Sequence, residues 1–416
     1  MEQKIIPVQE HQLPIQKVDT HAIYVVEKLK SAGFVAYLVG GSVRDLLLGR
    51  RPKDFDISTS AKPEEIKQVF RNCILIGRRF RLAHIRFGKK VLEVATFRAG
   101  DPDKEELILR DNQWGYPEED ALRRDFTING LFYDPSNEQI IDYVGGYEDI
   151  KKNLLRSIGQ PYVRFKQDPV RMLRLLKFQA RFGLKVDPDA HIALVECKED
   201  IVKSSPARVL EEILRMLESG AAHAFIQLLN EHGMMSHLIP EIAHFIEKEE
   251  EGKEIYSYLK EIDRFSQDPE EGSLQRSLLL SSMAFPLLQK RIKTQFLERE
   301  RIPHLGQIQN HTRDLVSDLF QEFLLLPRRL RYEMQNVLLG QFRLTPLHKK
   351  AIRKRIPKDS DFHLAIKFLE LRSCLEPGLK QVHEEWHELY SSEERPEESA
   401  PRRRRKRPRK RKRKST

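Results

Sequence analysis

Leu38-Val39-Gly40-Gly41-Ser42-Val43-Arg44-Asp45-Leu46-Leu47-Leu48-Gly49, followed after three residues by Lys53-Asp54-Phe55-Asp56, is the stretch whose reading decides the fold. The apolar, β-prone run over residues 34–39 ends in two glycines. Ser42 then stands as an N-cap for a helix over residues 43–48, which Gly49 stops. Strand, glycine turn and helix in this order bring backbone N–H groups to the positive end of a helix dipole, where a triphosphate can come close. Residues 54–58 alternate as a short strand, so Asp54 and Asp56 share a face while Phe55 points to the core. Paired carboxylates are hard oxygen donors suited to Mg²⁺. Two such ions about 3.5–4 Å apart can activate a hydroxyl and neutralise a leaving pyrophosphate. Each feature alone has a plainer reading: solvated acids on a strand, an ordinary glycine turn, Arg44 paired on the surface with Asp45. Together and in this order they place a glycine turn ahead of a spaced Asp-x-Asp, which raises the weight of the phosphate and metal reading.

Working outward, residues 63–70 read as a helix with Pro63 in its first turn, and residues 82–87 and 91–97 as a hairpin about Gly88-Lys89-Lys90. Residues 128–133 and 139–143 look like two further strands. From Pro169 onward apolar residues recur at helical spacing, as in Met172, Leu173, Leu176 and later Val209, Ile213, Met216, which places a boundary near Arg156.

The 416 residues are enough for two or three domains. No apolar stretch approaches the roughly 20 residues that cross a bilayer, and residues 1–20 lack a secretory apolar region, so a cytoplasmic protein with no membrane partner is expected. Cys73, Cys197 and Cys374 are far apart and read as buried free thiols. The net charge of +11 is concentrated at the end. Residues 402–414 hold twelve Lys or Arg and no acid, which leaves residues 1–400 with 61 basic against 62 acidic residues. Such a run repels itself and is expected to be disordered, with a polyanion as its partner.

The quoted stretch resembles the class II nucleotidyltransferase family that contains bacterial poly(A) polymerases and CCA-adding tRNA nucleotidyltransferases. Two later blocks agree. Arg123-Arg124-Asp125-Phe126-Thr127-Ile128-Asn129 resembles the family's ribose and triphosphate block, and Asp168-Pro169-Val170-Arg171-Met172-Leu173-Arg174 its base-reading block. The resemblance covers residues 34–230 in family order. It implies Asp54, Asp56 and a third carboxylate at the chemistry. Glu93 is the candidate by its place on the hairpin and Asp125 by its motif, and the sequence does not separate them. Gly40, Gly41, Ser42, Arg44, Arg123, Arg124 and Asn129 would bind the nucleotide, and Asp168 and Arg171 would read the base, with Arg174 nearby. The acids Asp54, Asp56 and Glu93 would hold two Mg²⁺ ions.

Asp168 also has a plain reading, as N-cap with Pro169 as first helical residue. An Asp that accepts from an exocyclic amine and an Arg that donates to a ring nitrogen suit adenine and cytosine, and reject guanine and uracil. The family usually has Glu before this Asp, where this chain has Gln167, so looser base selection is expected if that Glu orients the arginine. The choice between adenine addition and CCA addition rests on Ile76-Gly77-Arg78-Arg79-Phe80-Arg81-Leu82-Ala83-His84-Ile85, which resembles the segment marking off bacterial poly(A) polymerases. The polybasic tail suits many RNA 3′ ends rather than one folded tRNA.

The expectation is therefore an α+β chain: an N-terminal segment (1–30), a nucleotidyltransferase head with a small mixed or antiparallel sheet (31–156), a helical neck (157–230), a helical body (231–395) and a basic tail (396–416). Its expected activity is template-independent adenylation of RNA 3′ ends, of mRNA and other transcripts, with ATP as substrate. CCA addition to tRNA is the alternative, and an inactive RNA-binding protein on the same fold a more distant one. His84, Trp114 and Tyr116 are left unassigned.

Overall fold

The computed structural model of the chain describes residues 3–77, 82–99, 114–268, 274–320, 323–348, 355–357 and 361–392. Residues 78–81 of the segment used to choose between the two activities, and the whole basic run, lie outside the described residues.

The N-terminal part builds one eight-stranded sheet from β1 (Lys4–Ile6), β2 (Ala36–Val39), β3 (Asp56–Thr59), β4 (Cys73–Ile76), β5 (Leu82–Phe87), β6 (Lys90–Thr96), β7 (Leu131–Asp134) and β8 (Gln139–Asp142). Their order is β1-β8-β7-β2-β3-β6-β5-β4. All neighbours run antiparallel except β3 and β6, which are parallel, so the sheet is mixed as expected.

Alternation along the strands sorts the side chains. Ala36, Leu38, Ile57, Ala83, Ile85 and Val94 are buried in the main core. Helices α2 (Thr20–Ser31) and α4 (Pro63–Val69) pack on this side, after the single turn α1 (Val8–His11) and the short α3 (Gly41–Leu47). Asp19 caps α2 by accepting from the backbone N–H of His21 and Ala22, a start signal within the segment the sequence reading left without structure. Val39, Phe97 and Phe132 form a second, smaller core with Ala121 of α5 (Pro117–Leu122).

After α6 (Gly146–Lys151) the chain becomes helical: α7 (Pro161–Gln167), α8 (Val170–Phe182), α9 (Pro188–Cys197) and α10 (Pro206–Leu217), then longer helices such as Lys253–Gln267, Arg276–Gln295, Arg328–Leu344 and Phe362–Leu375. In α10 the buried set Val209, Leu210, Ile213, Leu214, Met216 and Leu217 is one continuous helical stripe. Truncating any one of these leucines to alanine is expected to cost about 2–5 kcal/mol.

Several boundaries move. Helix α3 starts at Gly41 with Gly40 as its cap residue, so Ser42 lies inside the helix and donates to the Val39 carbonyl instead of capping. Strand β3 starts at Asp56, which leaves Asp54 in the turn before it, and residues 127–129 form a 3₁₀ turn ahead of β7. Cys73 and Cys197 are buried free thiols, whereas Cys374 is exposed. Among the described residues no helix is long and apolar enough to cross a membrane.

Candidate active site

The parallel register of β3 with β6 sets Asp56 beside Glu93, and the antiparallel register of β6 with β5 sets Glu93 beside His84. Directly paired residues project to one face, so these three form a row across the sheet. Asp54 is exposed in the turn before β3, and its charge adds to that around Asp56. Desolvation by the surrounding protein, and then the Glu93 carboxylate, push the Asp56 carboxyl up to about 6, while Arg124 pulls it down. Carboxylates crowded in this way, offering oxygen donors only, fit a divalent cation, which would offset their repulsion. Among the described residues no three ligating side chains stand together as a closed metal cage. Strand register pairs Asp56 with Glu93, and Asp54 stands in the turn two residues before Asp56.

Asp125, the other candidate for third carboxylate, lies elsewhere. Its Oδ1 accepts from the Phe126 backbone N–H at 2.8 Å and from Asn129 Nδ2 at 2.9 Å, and its Oδ2 accepts from Arg174 Nε at 2.6 Å. Burial alone would raise this carboxyl, but Arg174 and the Asn129 hydrogen bond hold it well below the usual carboxylate range. Both Asp125 oxygens are thus engaged by neighbouring side chains and backbone, whereas Glu93 is the carboxylate that strand register pairs with Asp56.

The glycine turn has two reasons to be glycine. Gly40 has φ +68°, and a Cβ there would stand 2.9 Å from Arg124 Nη1. Arg124 is thereby drawn against the start of α3. Its guanidinium donates to Asp120 Oδ2 at 2.8 Å, reaches the Asn129 carbonyl at 3.3 Å and lies over the Phe132 ring. Arg123 lies 3.8 Å from the same Asp120 carboxylate.

Arg44 departs from expectation. It is buried, donates through Nε and Nη2 to Asp45 Oδ1 and through Nη1 to Asn129 Oδ1 at 2.6 Å, and stacks on Phe178 and Phe182 of α8. Arg174 is likewise engaged, by Asp125 and by Glu212 of α10. Both arginines, assigned to nucleotide binding from the sequence, tie the head to α8. Arg181 on α8 adds a contact to Asp45 at 3.3 Å.

The base-reading block sits where α7 ends and α8 begins. Asp168 is the residue after α7 and Pro169 the cap residue of α8, so the Asp168 side chain makes no cap bond. Its Oδ2 accepts from Arg208 Nη2 of α10 at 2.9 Å, while Oδ1 is buried with no hydrogen-bond partner among the described residues. Arg171 is buried beside it and, among the described residues, makes long bonds to neutral acceptors: the Arg164 carbonyl at 3.2 Å, Gln167 Oε1 at 3.4 Å and the Arg123 carbonyl at 3.4 Å. Gln167 also accepts from Arg164 at 3.0 Å, so one neutral amide bridges two guanidinium groups. Arg164 is fully buried and donates to the Arg123 and Arg124 carbonyls at 2.8 and 2.6 Å. Desolvation, with Arg171 adding to it, brings its guanidinium down to about 9.

Sequence reasoning missed Asp120, Arg164, Arg208 and Glu212. The available signals were local: Asp120 precedes Arg124 by one helical turn, and Arg208 and Glu212 are one turn apart on α10. His84, left unassigned, stands in the acidic row, while Tyr116 and Trp114 are exposed.

Comparison with known proteins bears on this geometry. Residues 36–156 match the poly A polymerase head domain, residues 183–246 the probable RNA and SrmB-binding site of polymerase A, and residues 307–416 the polymerase A arginine-rich C-terminus. The chain is 35% identical over 405 residues to poly(A) polymerase I of Salmonella typhi, an alignment covering 93% of this chain and 86% of that one. It is 38% identical over 202 residues to the CCA-adding enzyme of Lactobacillus helveticus, covering 47% of this chain and 49% of the relative. The fold is that of the Bacillus stearothermophilus CCA-adding enzyme solved with CTP, at a TM-score of 0.61 and 24% identity over 91% of this chain and 82% of that one.

Proposed function

As the chain belongs to the bacterial poly(A) polymerase family, we propose that it is a template-independent polynucleotide adenylyltransferase. The observation that carries selection of adenine or cytosine over guanine and uracil is the split Asp168 carboxylate. One oxygen is fixed by Arg208, and the other is a buried acceptor with no partner, beside the guanidinium of Arg171. A buried polar atom left unpaired is costly and marks a place for a ligand donor. An exocyclic amine supplies that donor, and the adjacent ring nitrogen accepts from Arg171.

In this reading the RNA 3′-hydroxyl attacks the α-phosphate of ATP in line, a new phosphodiester bond forms, the bond to the β-phosphate breaks, and pyrophosphate leaves. Asp54, Asp56 and Glu93 would hold two Mg²⁺ ions, which supply Lewis acidity at the hydroxyl and the leaving group. Arg124, drawn against Gly40, and Arg123 offset triphosphate charge, while Asp125, Asn129, Arg44 and Arg174 keep the head on α8. The head (31–156) carries transfer, the neck (157–230) reads the base, the body (231–395) supports it, and the tail (396–416) tethers RNA in the cytoplasm. Adenylation of varied RNA is preferred to CCA addition because similarity to a poly(A) polymerase spans nearly the whole chain, while similarity to the CCA-adding relative stops at about half.

The test is to incubate the protein with Mg²⁺, a tRNA lacking CCA and an unrelated RNA, with ATP alone, CTP alone or both. Long ladders with ATP alone on both RNAs are expected. Three-nucleotide extension of the tRNA only, requiring both nucleotides, would overturn the proposal in favour of CCA addition.

A further inference from the structure

We propose that His84 is a positioning residue for the transfer reaction, holding the Glu93 carboxylate in the row opposite Asp56. This inference rests on reading Asp54, Asp56 and Glu93 as the divalent-ion platform. Three strands contribute to the row. Glu93 on β6 is the register partner of Asp56 on β3 and of His84 on β5. His84 Nε2 lies 3.3 Å from Glu93 Oε1, with the histidine side chain 21% and the glutamate side chain 52% exposed. On the other side His84 pairs with Ile74 of β4, which brings an apolar side chain against the imidazole and leaves Glu93 as its carboxylate neighbour across the sheet.

A glutamate this exposed has many rotamers open to it, and ordering it against Asp56 costs conformational entropy. An imidazole nitrogen 3.3 Å from one carboxylate oxygen restricts those rotamers by close polar contact. A pair at this exposure contributes little to the stability of the fold. Groups that orient a metal-binding carboxylate, however, typically carry 10–100-fold in metal affinity or activity. His84 also belongs to the segment over residues 76–85 that resembles the one marking off bacterial poly(A) polymerases. Among the described residues of that segment it is the one side chain with acid–base or ligating chemistry. The segment therefore reaches the reaction centre through a histidine.

The test uses the full chain without RNA or ATP and follows Mn²⁺ binding by the loss of the free-ion electron paramagnetic resonance signal. AMP transfer is measured in parallel. His84→Ala is expected to weaken Mn²⁺ binding about 10-fold and to lower kcat by a similar factor, with KM for ATP within about twofold of wild type. His84→Gln, which keeps an N–H donor, is expected to restore most of both. His84→Leu, which keeps bulk beside Ile74, serves as a second donor-free variant if His84→Ala melts early. Wild-type Mn²⁺ affinity in the donor-free variants, alongside lost affinity in Asp56→Asn, would overturn the inference and leave the platform standing. Undiminished Mn²⁺ binding by Asp56→Asn would instead remove the platform itself.

Discussion

Asp168→Asn separates base reading from structural support. Among the described residues the Asp168 carboxylate has one hydrogen-bonded partner, Arg208, whose side chain is 59% exposed, and its charge also acts on the buried guanidinium of Arg171. An ion pair that open to solvent contributes at most about 1 kcal/mol. The other oxygen is buried with no hydrogen-bond partner among the described residues, but the carboxylate charge offsets that of the buried Arg171 guanidinium. The substitution is therefore expected to lower unfolding free energy by about 1–3 kcal/mol, through Arg171 more than through Arg208. Its effect on nucleotide choice is separate. A carboxylate only accepts and so takes the amine of adenine or cytosine, whereas an amide offers one acceptor and one donor and can also meet the carbonyl of guanine. Paired hydrogen bonds to a base edge carry about 1–3 kcal/mol of discrimination, equivalent to roughly 5- to 150-fold in relative kcat/KM. The assay is competition between ATP and GTP on one RNA, read from product sequences, with thermal melting of the same samples. A variant that keeps the wild-type ATP preference would refute the reasoning. So would one whose preference falls only in step with a large loss of stability.

Asp54→Ala should abolish AMP transfer while leaving RNA affinity, measured by filter binding, nearly intact; substantial residual transfer would contradict its placement on the metal platform. Asp56 has a raised folded-state pKa of about 6, so its protonation favours the metal-free fold below the unfolded value, and that contribution is lost as pH rises through about 6. Asp56→Asn should accordingly melt above wild type in chelator at pH 7–8, with the gap closing toward pH 4; a gap independent of pH would mean that the charge crowding is not felt. Deletion from Pro401 should weaken RNA binding and flatten its salt dependence by about 0.7 in log–log slope for each tail charge engaged, with ATP affinity unchanged; an unaltered slope would rule out the tether.

Much of the transfer site was legible because its signals are local. A strand ending in two glycines before a helix, and two acids straddling one apolar residue, are complete within a few residues, and both stand where the reading put them to within about two positions. Side chains whose fate depends on distant elements were not legible. Arg44 looked like a phosphate ligand because nothing near it reveals that Phe178 and Phe182 enclose its guanidinium. The same holds for Asp125, whose partner Arg174 comes from another element. That Glu93 stands beside Asp56 follows from a parallel pairing of β3 with β6, a non-local register that no motif encodes. The Asp168-Pro169 pair carried a sound capping signal, but α7 ends immediately before it, and the freed carboxylate turns to Arg208. The Gln167 departure shows its physical form in the structure as a neutral bridge between Arg164 and Arg171, where a carboxylate would have locked both with charge-assisted bonds.

The enclosure of Arg44 also bears on how this protein can be cut or recombined. A head fragment ending near residue 156 would retain every acid of the platform, yet it would leave Arg44 without its two aromatic rings and Asp125 without Arg174. Stripping one partner from a buried charge typically costs about 3–5 kcal/mol, a large share of the stability of an ordinary domain. The smallest portable unit is consequently the head together with α8, and a hybrid that exchanges catalytic heads between relatives should carry that helix across with its own head.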